Sequence, residues 1–226
     1  MSISTTFGAT VAAAALLAAT SAGAGTITGL YNTGVDDSGV ALVGGDGVVD
    51  THWTVVSSTA PGVIAGSNTV TYFNPAYISE DANSRWLSFA TDGTGQAPTG
   101  STTTYSLSFD LTGFDLDTIQ ISGSFAADNS ATLRVNGVDT FYVSGGFTSF
   151  TDFQLTNFQA GVNTLEFRVV DTGAPTAFRV DNLFGSAEFA TPGGAAVPEP
   201  ATWALLISGF GLAGSALRGQ RRREPA

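Results

Sequence analysis

Between Gly25 and Phe189 the chain places its apolar residues at every second position in short runs, separated by Gly, Asn, Asp, Ser and Pro. A side chain that must face inward at alternate positions belongs to a strand with one buried face. Tyr105, Leu107, Phe109 and Leu111 alternate with Ser and Asp, and Ile119, Ile121 and Phe125 keep the same beat. Leu133-Arg134-Val135 then meets Asn136-Gly137, residues that tolerate the positive φ of a two-residue hairpin turn, and Phe141-Tyr142-Val143 returns. Leu165, Phe167 and Val169 predict another strand, followed by Phe178 and Val180. Shorter runs at Trp53–Ser57, Thr69–Phe73 and Arg85–Ala90 predict the remainder. No window carries an amphipathic helical repeat. The expected fold is all-β: eight or nine strands in a two-sheet β-sandwich (jelly roll), as one domain over residues 25–190. A domain of about 165 residues can bury a core without metal or disulfide help.

Composition excludes several chemistries. The 226 residues include no cysteine and no lysine, so a thiolate metal site, a thiol nucleophile and a disulfide scaffold are all absent. Eight arginines face 19 acids, for a net charge of −11. That balance leaves no cationic surface to displace counterions, so nucleic acid is not an expected partner. The charge is unevenly spread: residues 25–190 hold 17 of the acids and four of the arginines, or −13.

The two ends have a different character. Residues 11–24 (VAAAALLAATSAGA) form an apolar run of signal-peptide length, closed by small residues at Ala22 and Ala24. Residues 1–24 are therefore expected to be a signal peptide read by the Sec translocon. Residues 191–200 form a linker ending in Val197-Pro198-Glu199-Pro200, where two prolines hold the backbone extended. Residues 201–217 (ATWALLISGFGLAGSAL) carry no charge and reach the lower limit of about 17 residues for a transmembrane helix. The tail 218–226 follows, with Arg218, Arg221, Arg222 and Arg223 as a basic stop on the cytoplasmic side.

The order Val-Pro-Glu-Pro, apolar segment, arginine cluster resembles the PEP-CTERM sorting signal of exosortase substrates. The resemblance implies export, transient residence in the inner membrane, recognition by an exosortase, and delivery to the cell surface or extracellular matrix. Such proteins are linked with exopolysaccharide and biofilm. A second resemblance covers the later half of the body. Residues 127–137 (ADNSATLRVNG) and 158–169 (FQAGVNTLEFRV) are similar to the turn-and-strand segments of galactose-binding-like jelly-roll modules. Many of those modules bind sugars and others only hold assemblies together, so fold alone does not settle binding.

Catalytic motifs are scarce. His52 is the only histidine, no G-x-S-x-G elbow occurs, and the glycine runs lack the Lys-Ser/Thr of a phosphate loop. Asp36, Asp37, Asp46 and Asp50 cluster with Gly44, Gly45 and Gly47, which suits a structural calcium ion or, more plainly, a set of turns. Asp128-Asn129 is a second calcium candidate. Sugar binding needs an exposed aromatic face beside polar groups, and Trp53, Trp86 and Tyr142 are the candidates unless they lie in the core. The expected protein is an exported, non-enzymatic surface or matrix component that binds polysaccharide. The alternatives are a carbohydrate-active enzyme such as a glycoside hydrolase, and a passive structural component of a surface layer.

Overall fold

A computed structural model describes residues 23–90, 98–190 and 204–210. Among them are eleven strands: β1 Ala24–Thr26, β2 Val49–Ser58, β3 Asn68–Thr71, β4 Leu87–Ser88, β5 Thr102–Asp110, β6 Gln120–Asp128, β7 Ser130–Val135, β8 Val138–Val143, β9 Thr151–Leu155, β10 Val162–Val170 and β11 Ala177–Glu188. The chain divides into two units, one ending at Ala190 and one starting at Thr191. The all-β expectation holds for the first unit. Its strands follow one path, β8-β7-β10-β5-β2-β3-β4-β11-β6-β9, with β1 added beside β11. The pairs are antiparallel throughout.

The path folds back so that two faces meet over a core of aromatic rings. Phe167 of β10 lies 5.0 Å from Phe125 of β6 and 6.0 Å from Phe178 of β11, by ring centroids. Tyr105 of β5 stacks on Phe178 at 4.2 Å, and Trp53 of β2 meets its edge at 5.4 Å. These offset and edge-on contacts suit the ring quadrupoles and add to the gain from burial, about 2–3 kcal/mol for each large side chain. A smaller cluster gathers Tyr72, Tyr77 and Trp86 under Phe147 and Phe150.

The two predicted turns become parts of one structure. Asn136 and Gly137 take φ of 50° and 79°, so Val135 pairs with Val138 across a two-residue turn. Gly161, with φ 79°, precedes the buried Asn163. Asn136 Nδ2 donates to Asn163 Oδ1 at 2.8 Å, and Asn136 Oδ1 accepts from Thr164 N at 2.8 Å. Asn163 Nδ2 in turn donates to the carbonyls of Gln159 and Gly161. The amide pair thereby fixes the hairpin on the start of β10.

Three features were not anticipated. β1 is a three-residue strand without large apolar residues, paired by Ala24 with Glu188 and by Thr26 with Ser186. β9 carries only Phe153 and Leu155 as apolar positions, too short an alternation to stand out. The predicted run Arg85–Ala90 yields only the two-residue β4.

The expected signal peptide lies outside the described residues except for its last two, Gly23 and Ala24. The sorting residues Val197, Pro198, Glu199 and Pro200, and Arg218, Arg221, Arg222 and Arg223, also lie outside them. Of the expected transmembrane segment 201–217, residues 204–210 are described and are α-helical. Among the described residues no helix is long and apolar enough to cross a membrane, and the rest of the expected segment lies outside them.

Candidate functional site

Two of the three aromatic candidates are removed by burial. Trp53 and Trp86 are each 0% exposed. Trp53 packs between Phe167 and Phe178, and its indole N–H donates to the Tyr31 carbonyl at 3.2 Å. Trp86 packs against Tyr77 and donates to the Ile78 carbonyl at 2.9 Å. Both rings and both N–H groups are consumed inside the domain, so neither can stack on a sugar.

The expected calcium cluster of Asp36, Asp37, Asp46 and Asp50 does not converge. Asp50 is fully buried and accepts three backbone N–H bonds, from Gly34 at 2.6 Å, His52 at 2.7 Å and Trp53 at 3.1 Å. Burial pushes its pKa up, against the pull of those donors and of nearby His52. Asp36 caps a turn by accepting from Ser38 N and Val40 N. Asp46 accepts from Phe73 N, and Asp37 meets His52 Nε2 at 3.1 Å. Among the described residues no group of three or more His, Asp or Glu side chains is arranged to hold a metal. The acids make turns and brace β2. His52 itself stacks on Tyr31 at 3.7 Å, with Asp37 at Nε2 and Asp50 3.7 Å from Nδ1, and among the described residues no hydroxyl nucleophile is bonded to it.

Tyr142 is different. It belongs to β8, one edge of the strand path, and its hydroxyl crosses to β9, the other edge. That hydroxyl donates to the Gln154 carbonyl at 2.9 Å and accepts from Gln154 N at 3.1 Å. One phenol thus serves both backbone groups of a residue on an otherwise open edge, drawing the sheet nearly closed. A groove of about 450 Å³ runs along this seam, lined by Val138, Asp139, Phe141, Tyr142, Gln154 and Asn157 among others.

The groove has the composition of a ligand site. Phe141 is 84% exposed, and its ring lies 4.2 Å from that of Tyr142. A phenylalanine that extends into water on an edge strand is poorly explained by folding, because burial is where its transfer free energy is gained. Gln154 and Asn157 add amide side chains to the same lining. Asp139 is held by two arginines: it accepts from Arg134 Nε at 2.8 Å and Arg168 Nη2 at 2.7 Å. Arg134 Nη1 also donates to Glu166 at 2.8 Å. Such exposed pairs contribute little stability, but together they fix the carboxylate's position at the rim. Of the three aromatic candidates only Tyr142, which the sequence sets near Asp139, lies here; Phe141 beside it reads as a strand residue, and nothing local says which face it takes.

Comparison with known proteins places one segment clearly. Residues 196–223 match the PEP-CTERM protein-sorting motif, as the tripartite terminus implied. No curated protein matches the chain. Among solved structures, TmCBM61 in complex with β-1,4-galactotriose is 13% identical, covering 61% of this chain and 90% of that one, with a TM-score of 0.39. CBM35 from Paenibacillus barcinonensis is 16% identical over 62% of this chain and 94% of its own, with a TM-score of 0.29. A Stig cyclase, Fisc, from Fischerella sp. TAU is 12% identical over 72% of this chain and 100% of its own, with a TM-score of 0.39.

Proposed function

We propose that the protein is an exosortase-sorted surface or matrix component whose sandwich binds polysaccharide, without turning it over, in the groove between β8 and β9. The observation that supports binding is Phe141, an exposed aromatic ring in a cavity it shares with Gln154, Asn157 and the fixed carboxylate of Asp139. Sugar rings stack their C–H faces on such a surface while their hydroxyls pair with the surrounding polar groups. Against hydrolysis, the groove lining supplies one carboxylate, Asp139, already engaged by Arg134 and Arg168. Glycoside hydrolysis by the common routes requires two, about 5–10 Å apart. Membership of an exopolysaccharide matrix is the biological setting that the sorting signal favours.

Binding is tested with the full-length chain on a glycan array that includes cell-surface polysaccharides. Phe141→Ala should weaken the strongest signal roughly tenfold while leaving stability within about 0.5 kcal/mol, because the exposed ring contributes little to folding. A binding signal indifferent to Phe141 would remove this groove from consideration. Sorting is tested by mass spectrometry of the mature protein in an exosortase-positive cell. The wild type should end before Arg218, and Pro198→Ala with Glu199→Ala should retain Arg223.

A further inference from the structure

The domain has too few cations for its buried acids. Residues 25–190 contain Arg85, Arg134, Arg168 and Arg179, no lysine, and the single histidine His52. Arg85 pairs with Glu80, Arg134 with Asp139 and Glu166, Arg168 with Asp139, and Arg179 with Asp81. His52 lies between Asp37 and Asp50. None of these reaches Asp128 or Asp171, which are 4% and 2% exposed.

The strand register brings those two acids together. Asp128 ends β6, and Asp171 follows Val170, which pairs with Ser130 at the start of β7. Asn129 ties the junction: its N–H donates to the Val170 carbonyl at 3.2 Å, and its Oδ1 accepts from Thr172 N at 2.6 Å. One oxygen of each carboxylate is satisfied, Asp128 Oδ2 by the Tyr77 hydroxyl at 2.8 Å and Asp171 Oδ1 by Gly173 N at 2.9 Å. The other oxygens, Asp128 Oδ1 and Asp171 Oδ2, are buried and have no hydrogen-bond partner among the described residues. Burial raises both pKa values, and the charge of Asp171 raises that of Asp128 further. Two buried carboxylates with one open oxygen each, and no cation beside them among the described residues, are expensive to leave unpaired.

We propose that Asp128 Oδ1 and Asp171 Oδ2 are ligands of one divalent cation of the calcium class, bound where β6 and β10 end. An oxygen-only donor set favours a hard ion over zinc or copper. Calcium accepts irregular geometry and completes its shell with carbonyls and water, whereas magnesium demands a near-octahedral cage and dehydrates reluctantly. The ion would neutralise the pair and join the β6–β7 junction to the β10–β11 turn. The site does not depend on the β8–β9 groove.

The test is thermal unfolding of the full-length chain in CaCl2 and in EDTA. The wild type should melt roughly 5–10 °C higher at a hundredfold excess of calcium over its Kd. Magnesium should give a smaller shift at the same concentration. In the double variant Asp128→Asn with Asp171→Asn, which keeps volume and hydrogen-bonding shape, the calcium shift should vanish. A wild-type melting temperature unchanged by calcium overturns the proposal, as does a shift that survives in the double variant. A second measurement needs no variant: Tb3+ emission excited through aromatic absorption, for which Tyr77 is a built-in sensitiser. Emission displaced by calcium supports the site, and its absence overturns it.

Discussion

Asp50 and Asp128 are both carboxylates taken out of water, and the domain treats them in opposite ways. Asp50 accepts the N–H groups of Gly34, His52 and Trp53, so its charge organises the backbone around the start of β2. Asp128 has one tyrosine hydroxyl, a carboxylate neighbour and an open oxygen. Burial alone therefore does not make an acid structural. What distinguishes the two is whether the donors that a buried anion requires are already part of the fold.

Removal of Asp50 carries the largest expected effect. Asp50→Ala leaves three N–H groups without their acceptor, one of them on the core residue Trp53, and should cost about 3–5 kcal/mol, read as a lower urea midpoint. Asp50→Asn keeps one accepting oxygen but turns an amide NH2 toward a donor, and about 1–3 kcal/mol is expected. If either variant is as stable as the wild type, Asp50 is not the organiser of its segment.

Acid titration in EDTA probes the other member. The folded-state pKa values of Asp128 and Asp171 are raised by burial, so the folded chain binds these protons more readily than the unfolded one. Stability should accordingly rise as pH falls from neutrality toward 3.8, the ordinary aspartate value. Below that it should fall again, because carboxylates such as Asp110, held low by hydrogen bonds from the Thr112 side chain and backbone, then take up protons. The double Asn variant should show a weaker rise, the remainder belonging to Asp50, whose pKa burial also raises. A wild-type profile that declines steadily from neutral pH would mean that the Asp128–Asp171 pair carries no electrostatic penalty.

Tyr77→Phe removes the one protein donor that Asp128 has and should cost about 1 kcal/mol in EDTA, with a smaller loss when Asp128 is already Asn. The smallest effect is expected at the surface. Asp36→Ala deletes an exposed turn bond to Ser38 and Val40 and should cost about 0.5 kcal/mol. A larger loss would mean that the Asp-rich loop does more than shape its own turns.

Local sequence dictates some of these features and not others. The hairpin at Asn136-Gly137 and the turn before Asn163 were readable because each depends on residues that tolerate unusual backbone angles. Their amide-to-amide bond was not, because it depends on β7 lying beside β10. Trp53 and Trp86 were named for their chemistry, and only the folding of the strand path decides that both face inward. Asp171, in the run Val-Val-Asp-Thr-Gly, reads as an ordinary turn residue. Its approach to Asp128 follows from a pairing register that the neighbouring residues do not encode. Phe141 was legible as a strand residue but not as an exposed one, since edge and interior strands share the same alternation.

The strand that leads toward the sorting segment has a mechanical consequence. β11 makes eight register pairs with β6 and is also flanked by β4 and β1, and its exit is clamped where Phe114 stacks on Phe189 at 5.1 Å and Ala190 N donates to the Gly113 carbonyl. Ladder bonds in an antiparallel sheet run across the strands. Tension entering through Ala190 is therefore directed along β11, where it must shear many bonds together instead of opening them one at a time. Pulled from that end, the domain should keep its shape until the ladder on β11 gives way as a unit.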